Sequence, residues 1–329
     1  MFVLLHQLGP AENVAVAIES PASPITEPLV EAGWAVFSIN PKQLDRCRDR
    51  FSPAGAKDDR RDAYVLAHCL RSDAVCFRRL LPAQPWQLDL RSLTRQRIAV
   101  QADLRVQTNR LREILLASFP QLLACTPGAD EPWLWDLLGI APTPSQAARL
   151  SRTRLAGLLR RHRIRRLSAE QLQTTLRSGS LPLPPASFER HGFEITCLLG
   201  ILNALGQTLR QIERALAATL QRRTESENQG GQPRDINIIL SLPGVGPYVA
   251  ATLLAEAHQA LLRRDYHALR AHAGVAPVTR SSGKSCLHAM RRSCNRHLRD
   301  ALYHWSRCSC QHDERSRTRY QQLRARGHS

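Results

Sequence analysis

No stretch of this sequence approaches the ~20 consecutive apolar residues that a membrane-spanning helix needs. Its apolar first seven residues are too short for a signal peptide and lack a basic flank. A cytoplasmic protein with no membrane partner is therefore expected. Paired cysteines are missing as well. Nine cysteines are present, but no two have the Cys-x2-Cys spacing of a zinc finger, and a disulfide framework is not expected in this size and context. Cys47, Cys69, Cys76, Cys125 and Cys197 fall singly on apolar helical patterns and are expected as small core residues. Cys286, Cys294, Cys308 and Cys310, with four histidines nearby, supply zinc-ligand types without the spacing. Negative charge is the third shortage. Asp and Glu number 28 against 46 Lys and Arg, a formal net charge of +18 and a pI near 10.6. Most of the excess is arginine, whose planar fork suits phosphate oxygens, so a polyanion, nucleic acid first, is the expected partner.

The 329 residues allow two or three domains. Residues 14–19 and 34–39 read as buried strands, each followed by a helix, at about 24–32 and after Asn40-Pro41. That order indicates an α/β layer with parallel strands and puts Glu19 at the carboxyl edge of the sheet, where such folds place their chemistry. A long helix is expected over about 86–118, with Leu93, Val100, Leu104, Leu111 and Leu115 as its apolar positions. A second runs over about 193–222, where Leu198, Leu202, Leu205, Leu209, Ile212 and Leu216 alternate spacings of four and three. The second stripe suits a coiled coil or an ordinary bundle helix. Between them, the segment around Ser151–Leu167 holds eight arginines counted from Arg149, interleaved with leucines, which suggests a helix facing a phosphate backbone. Residues 224–234 read as a flexible linker.

The chemistry concentrates in three places. In Lys57-Asp58-Asp59-Arg60-Arg61-Asp62-Ala63, Asp59 and Asp62 stand at i and i+3 at the start of an apolar helix. Such a pair suits a divalent, oxygen-seeking metal such as Mg2+, or merely the favourable end of the helix dipole. In the second place, Leu242-Pro243-Gly244-Val245-Gly246-Pro247 lies between two apolar helical stretches, as in a helix-hairpin-helix whose turn offers Gly244 and Gly246 N–H groups to a phosphate. A plain helical hairpin would also need those glycines. Further on, Ser281-Ser282-Gly283 reads as loop, amid Arg280, Lys284, Arg291, Arg292, Arg296 and Arg299. From 280 to 329 there are twelve Arg and Lys against three Asp and Glu. In so positive a field a serine hydroxyl can attack a phosphodiester, with Asn295 and Arg299, four apart, orienting the scissile phosphate.

Taken together, these blocks resemble the transposases of the insertion sequence 110 family, related to the Piv invertase and called DEDD transposases. The likeness rests on the strand ending Ala17-Ile18-Glu19, the Gly33 to Asn40-Pro41 step and the Lys-x-Asp59-Arg-x-Asp62-Ala frame. It continues through Leu242–Gly246, Gly274-Val275-Ala276-Pro277 leading to Ser282-Gly283, and Cys294-Asn295-x-x-Leu298-Arg299. The resemblance implies an α/β plus α fold: an incomplete RuvC-like (RNase H-like) domain over 1–82, a helical coiled-coil insert over 83–223, and, after the linker, a mainly helical transposase domain over 235–329. It implies that Glu19, Asp59 and Asp62 bind Mg2+ and that Ser282 becomes covalently joined to DNA. It also implies DNA, an element-encoded guide RNA and a homo-oligomer as partners. Against the family pattern, no aspartate stands on a strand upstream of Glu19 and the basic C-terminal helix stops early, so truncation at both ends is expected. Two other functions stay open: a junction-resolving nuclease using metal-activated water, and a remnant that binds nucleic acid without cutting it.

Overall fold

The computed structural model describes residues 5, 7–19, 24–51, 58–178, 184–230 and 235–327. Two compact units divide the chain, residues 1–85 and 86–329. Lys57 and linker residues 231–234 lie outside the described residues.

Unit 1 is a small α/β layer. β1 (Ala15–Ile18) runs parallel to β2 (Ala35–Ser38), in register from Ala15 opposite Ala35 to Ile18 opposite Ser38. β3 (Arg78–Arg79), which periodicity does not announce, adds antiparallel to β2. Side chains alternate across a strand, so both faces can be covered. Val16, Ile18 and Val36 pack with Leu29 of the Thr26–Glu31 helix, while Ala17, Phe37 and Ile39 meet Leu44, Val65, Cys69 and Leu70 from the Pro41–Asp49 and Asp59–Ser72 helices. The Pro41–Asp49 helix begins where sequence demands it. Asn40 Oδ1 accepts from Lys42 N at 2.9 Å, and Pro41 occupies the first turn, where its missing N–H is no loss.

Among the described residues, the secondary structure of unit 2 is helical apart from one hairpin. Helices Pro85–Ser118 and Pro185–Gly230 run antiparallel. Leu90 near the start of the first shares a core with Leu216 and Leu220 near the end of the second, and Arg97 pairs with Glu213 at 3.2 Å. Leu111 and Leu115 belong to a second core with Leu198 and Leu202. The leucine stripe expected from spacing is thus buried within this chain at Leu198, Leu202, Ile212 and Leu216. Between the two long helices sits a module of short helices around Trp133, Leu134, Leu138, Leu155 and Leu172. Its starts are capped by Thr143, Ser151 and Ser168, the last in a reciprocal capping box with Gln171.

Several expectations need correction. Residues 224–230 are helix rather than linker, because the second long helix continues to Gly230; a polar run of Glu, Asn and Gln carries no breaker until its glycines. Cys76 and Cys197 are exposed rather than core, while Cys69 is fully buried. Among the described residues one helical stretch, Ala186–Ser226, is long and apolar enough to cross a membrane by length and composition. Its stripe of buried leucines faces the two cores.

Candidate active site

Glu19 follows β1 directly, half-buried, and Asp59 opens the Asp59–Ser72 helix, exposed. Asp62, one turn on, is claimed by a side chain that sequence reasoning missed. Arg48, from the preceding helix, places Nε 2.7 Å from Asp62 Oδ1 and NH1 2.6 Å from Asp45 Oδ1. The Arg48 and Asp62 side chains are 15% and 14% exposed, so this pair is partly desolvated. Among the described residues, no three of His, Cys, Asp or Glu stand close enough to hold a metal ion. As arranged, the three carboxylates therefore do not fit Mg2+: a six-oxygen cation needs convergent donors, and one of the three already neutralises a guanidinium. The C-terminal cysteines and histidines make no metal group either.

The serine lies on a two-stranded element. β4 (Val278–Ser282) and β5 (Ser285–Ala289) form an antiparallel hairpin, Ser282 opposite Ser285, with Gly283 at φ +55 in the two-residue turn. The structure thus has strands where the sequence suggests a loop, because Ser-Ser-Gly-Lys reads as turn chemistry. Apart from Val278 and Ala289 every strand residue is exposed. Ser282 and Arg280 share one face, and the turn adds Lys284. On the other face Thr279 Oγ1 is 3.1 Å from His288 Nδ1, and Cys286 Sγ is 3.8 Å from His288 Nε2. A bare hairpin is marginal in water, which suits an element that is covered when a partner binds.

Behind the hairpin, Asn295 and Arg299 are built into the fold. Asn295 Oδ1 caps the Arg296–His312 helix by accepting from Leu298 N at 3.0 Å, and its Nδ2 donates to Glu256 Oε2 at 2.7 Å. Arg299 donates to the Arg291 carbonyl. Glu256 is the centre of this network: its side chain is 6% exposed and pairs with Arg95 at 3.1 Å. A lone carboxylate closing the apolar run Tyr248–Ala255 was the signal for it in the sequence. Arg292 is exposed and Arg291 half-buried.

The glycine-rich turn divides its two glycines between different jobs. It joins the helices Asp235–Ser241 and Pro247–Glu256. Gly244 has φ +79, and a Cβ there would lie 2.5 Å from Ser309 N and 2.9 Å from Cys308 C. The turn is pressed onto the backbone of the Arg296–His312 helix, and Pro243 O accepts from Trp305 Nε1 at 2.9 Å and Ser309 Oγ at 2.7 Å. Gly246 is the reverse: φ −96, cap of the second helix, with nothing within 4 Å of a Cβ. Only Gly246 leaves room for an approaching phosphate. Burial pushes the neighbouring Tyr248 phenol above its ordinary value, with Arg97 Cζ 4.4 Å from the ring, so it stays protonated at neutral pH.

Two family models match the chain. A DEDD transposase model of IS110 elements matches residues 3–120, and that of the transposase IS116/IS110/IS902 family matches residues 236–321. A Streptomyces coelicolor protein named as a mini-circle transposase for IS117 is 30% identical over 330 residues, which cover 98% of this chain and 77% of that protein. The IS110 insertion element of the same organism encodes a 43.6 kDa protein 27% identical over 323 residues, covering 96% and 76%. A Sinorhizobium fredii protein named as a transposase, y4uE, is 48% identical over 158 residues. That match spans 48% of this chain and 44% of the relative's length.

Proposed function

From its membership of the IS116/IS110/IS902 transposases, the enzyme family to which this chain belongs, we infer that it cuts and rejoins DNA for an insertion sequence, with Ser282 as the nucleophile. Unit 1 is read as RuvC-like on its parallel β1 and β2 with flanking helices, and the turn at 242–246 as a helix-hairpin-helix that meets phosphate through Gly246. The observation that carries the serine reading is the setting of Ser282. Its hydroxyl ends an exposed strand beside Arg280 and Lys284, and no hydrogen bond to another described residue occupies it.

In the proposed step Ser282 Oγ attacks a scissile phosphorus. The Oγ–P bond forms, a P–O bond of the DNA breaks, and the departing strand end takes a proton to become a hydroxyl. Arg280 and Lys284 offset the charge that builds on the phosphorane. Attack by a hydroxyl of the exchanging strand on the phosphoserine reverses the step and frees Ser282. A divalent metal belongs to the family reading, with Glu19, Asp59 and Asp62 as donors; as arranged they do not fit one, so no step passes through it. Guide RNA and a homo-oligomer rest on the resemblance alone.

That same misfit favours a second reading, in which the chain binds nucleic acid without cutting it. Denaturing gels after incubation with a plasmid carrying the element's ends separate the two. The serine reading expects a protein–DNA adduct that survives denaturation, is lost in Ser282→Ala and is retained in Ser281→Ala. No adduct from the unaltered chain would sink that reading and leave binding alone.

A further inference from the structure

The Arg152–Arg161 helix lies between the two stretches matched by family models, and neither the serine nor the carboxylates use it. Its inner side is apolar, with Leu155, Leu158 and Leu159 buried. Its outer side is cationic. Arg154, Arg160 and Arg161, with Gly157, Leu158 and Ile140, line a shallow cleft of about 530 Å³.

The arginines of this segment fall into two sets. Arg152 pairs with Glu170, Arg166 with Glu131, and Arg161 reaches Asp136 at 3.8 Å. Arg149, Arg154, Arg160, Arg163 and Arg165 are exposed and form no ion pair among the described residues. So dense a set of like charges repels itself unless a polyanion covers it. Gly157 sits between Arg154 and Arg160 on the cleft floor, and a Cβ there would meet nothing within 4 Å. The site is open where a side chain would otherwise hold a ligand off.

Arg163 adds an independent sign. The helix ends in a Schellman turn, Ile164 N to Leu159 O at 2.9 Å, and its left-handed position is usually glycine. Here it is Arg163, at φ +56. Strain of this kind persists where a side chain is wanted for another purpose.

We propose that this face binds the phosphate backbone of duplex DNA through Arg154, Arg160 and Arg163, as a holding surface separate from the serine hairpin. Arg154 and Arg160 are six residues apart, ~9 Å along the helix, a span over which a duplex offers several phosphates. The choice of DNA over RNA rests on the transposase reading; the cationic face does not.

The test measures binding of the full chain to a random-sequence DNA duplex in EDTA, by fluorescence anisotropy over a range of salt. Cleavage plays no part in this readout, so failure of the serine reading leaves it intact. The double variant Arg154→Gln/Arg160→Gln should flatten the slope of log K against log salt by about 2, since each lost phosphate contact removes ~0.9. The ion-paired control Arg152→Gln should leave the slope as it was. Arg163→Gly should melt at a higher temperature and yet bind DNA less tightly. An unchanged slope in the double variant overturns the proposal. So does a loss confined to an RNA duplex of the same sequence, or Arg163→Gly binding as tightly as the unaltered chain.

Discussion

Gly244→Ala should lower the melting temperature of unit 2 sharply, whereas Gly246→Ala, two residues on, should barely move it. At Gly244 three effects act together. The left-handed backbone at φ +79 disfavours any L side chain by about 1 kcal/mol. The new Cβ would meet Ser309 N at 2.5 Å and Cys308 C and Ser309 Cα at 2.9 Å. These are backbone atoms of a 17-residue helix, so the turn itself must lift. Lifting it stretches both bonds to Pro243 O, from Trp305 Nε1 and Ser309 Oγ, each contributing about 1 kcal/mol net. A loss of about 3 kcal/mol corresponds to a fall of roughly 6–12 °C for a unit of this size. At Gly246 the backbone is ordinary and the space is open. Alanine is only a poorer cap there, a cost under about 1 kcal/mol. Scanning calorimetry on the full chain reads both variants, with tryptophan fluorescence to identify the transition, since every tryptophan but Trp34 lies in unit 2. The docking argument is wrong if Gly244→Ala melts within about 2 °C of the unaltered chain, or if the two variants fall together.

In unit 1, Asp62→Asn strips Arg48 of one of its two carboxylates in a place where both side chains are about 15% exposed. A loss of about 1–2 kcal/mol is expected, and it should appear in EDTA, since the pairing needs no metal; an unchanged melt in EDTA would refute it. His258 sets a pH dependence for unit 2. Burial holds its imidazole below the ordinary value, and Arg223 adds to this while Asp235 opposes it. The folded state thus resists the proton. The stability that this supplies is complete above the unfolded pKa of ~6.5 and is lost as pH falls through the folded value. Melting temperature should decline from pH 7.5 towards 5.5, and His258→Gln should flatten the decline. Equal slopes in the two proteins would show that another group titrates.

Strands β1 and β2 were legible as apolar runs bounded by turn residues, since helices cover both faces of the sheet. Only Val36 and Ser38 of β2 are buried, while β1, expected as a buried strand, is exposed at Ala15 and half-buried over Val16–Ile18. The Pro41–Asp49 and Asp59–Ser72 helices were legible from Asn-Pro and from the acidic opening. What sequence could not show was pairing across distance. Nothing near Asp62 indicates that Arg48 will meet it, and nothing near Asn295 announces Glu256, thirty-nine residues upstream. The hairpin at 278–289 was hidden for a different reason. Its strands bury almost nothing, so the alternation that marks a half-buried strand is missing. Its only local sign, Gly283, is equally a loop residue.

The same physics sorts the cationic and polar residues that the sequence assigned to DNA. A side chain already spent on the fold cannot be removed without removing fold. Asn295 satisfies a helix end and a buried carboxylate at once, and Arg299 holds a carbonyl of the segment leading into its own helix. Loss of strand exchange at either position would therefore come with loss of stability, and says nothing about phosphate. Arg280, Lys284 and Arg292 are exposed and form no ion pair among the described residues, so loss there without loss of stability speaks to binding. Gly244 and Gly246 divide along the same line within one turn. A motif read from sequence treats its residues as equals; the backbone contact at Gly244 and the open space at Gly246 show that only one of them is free to meet a ligand.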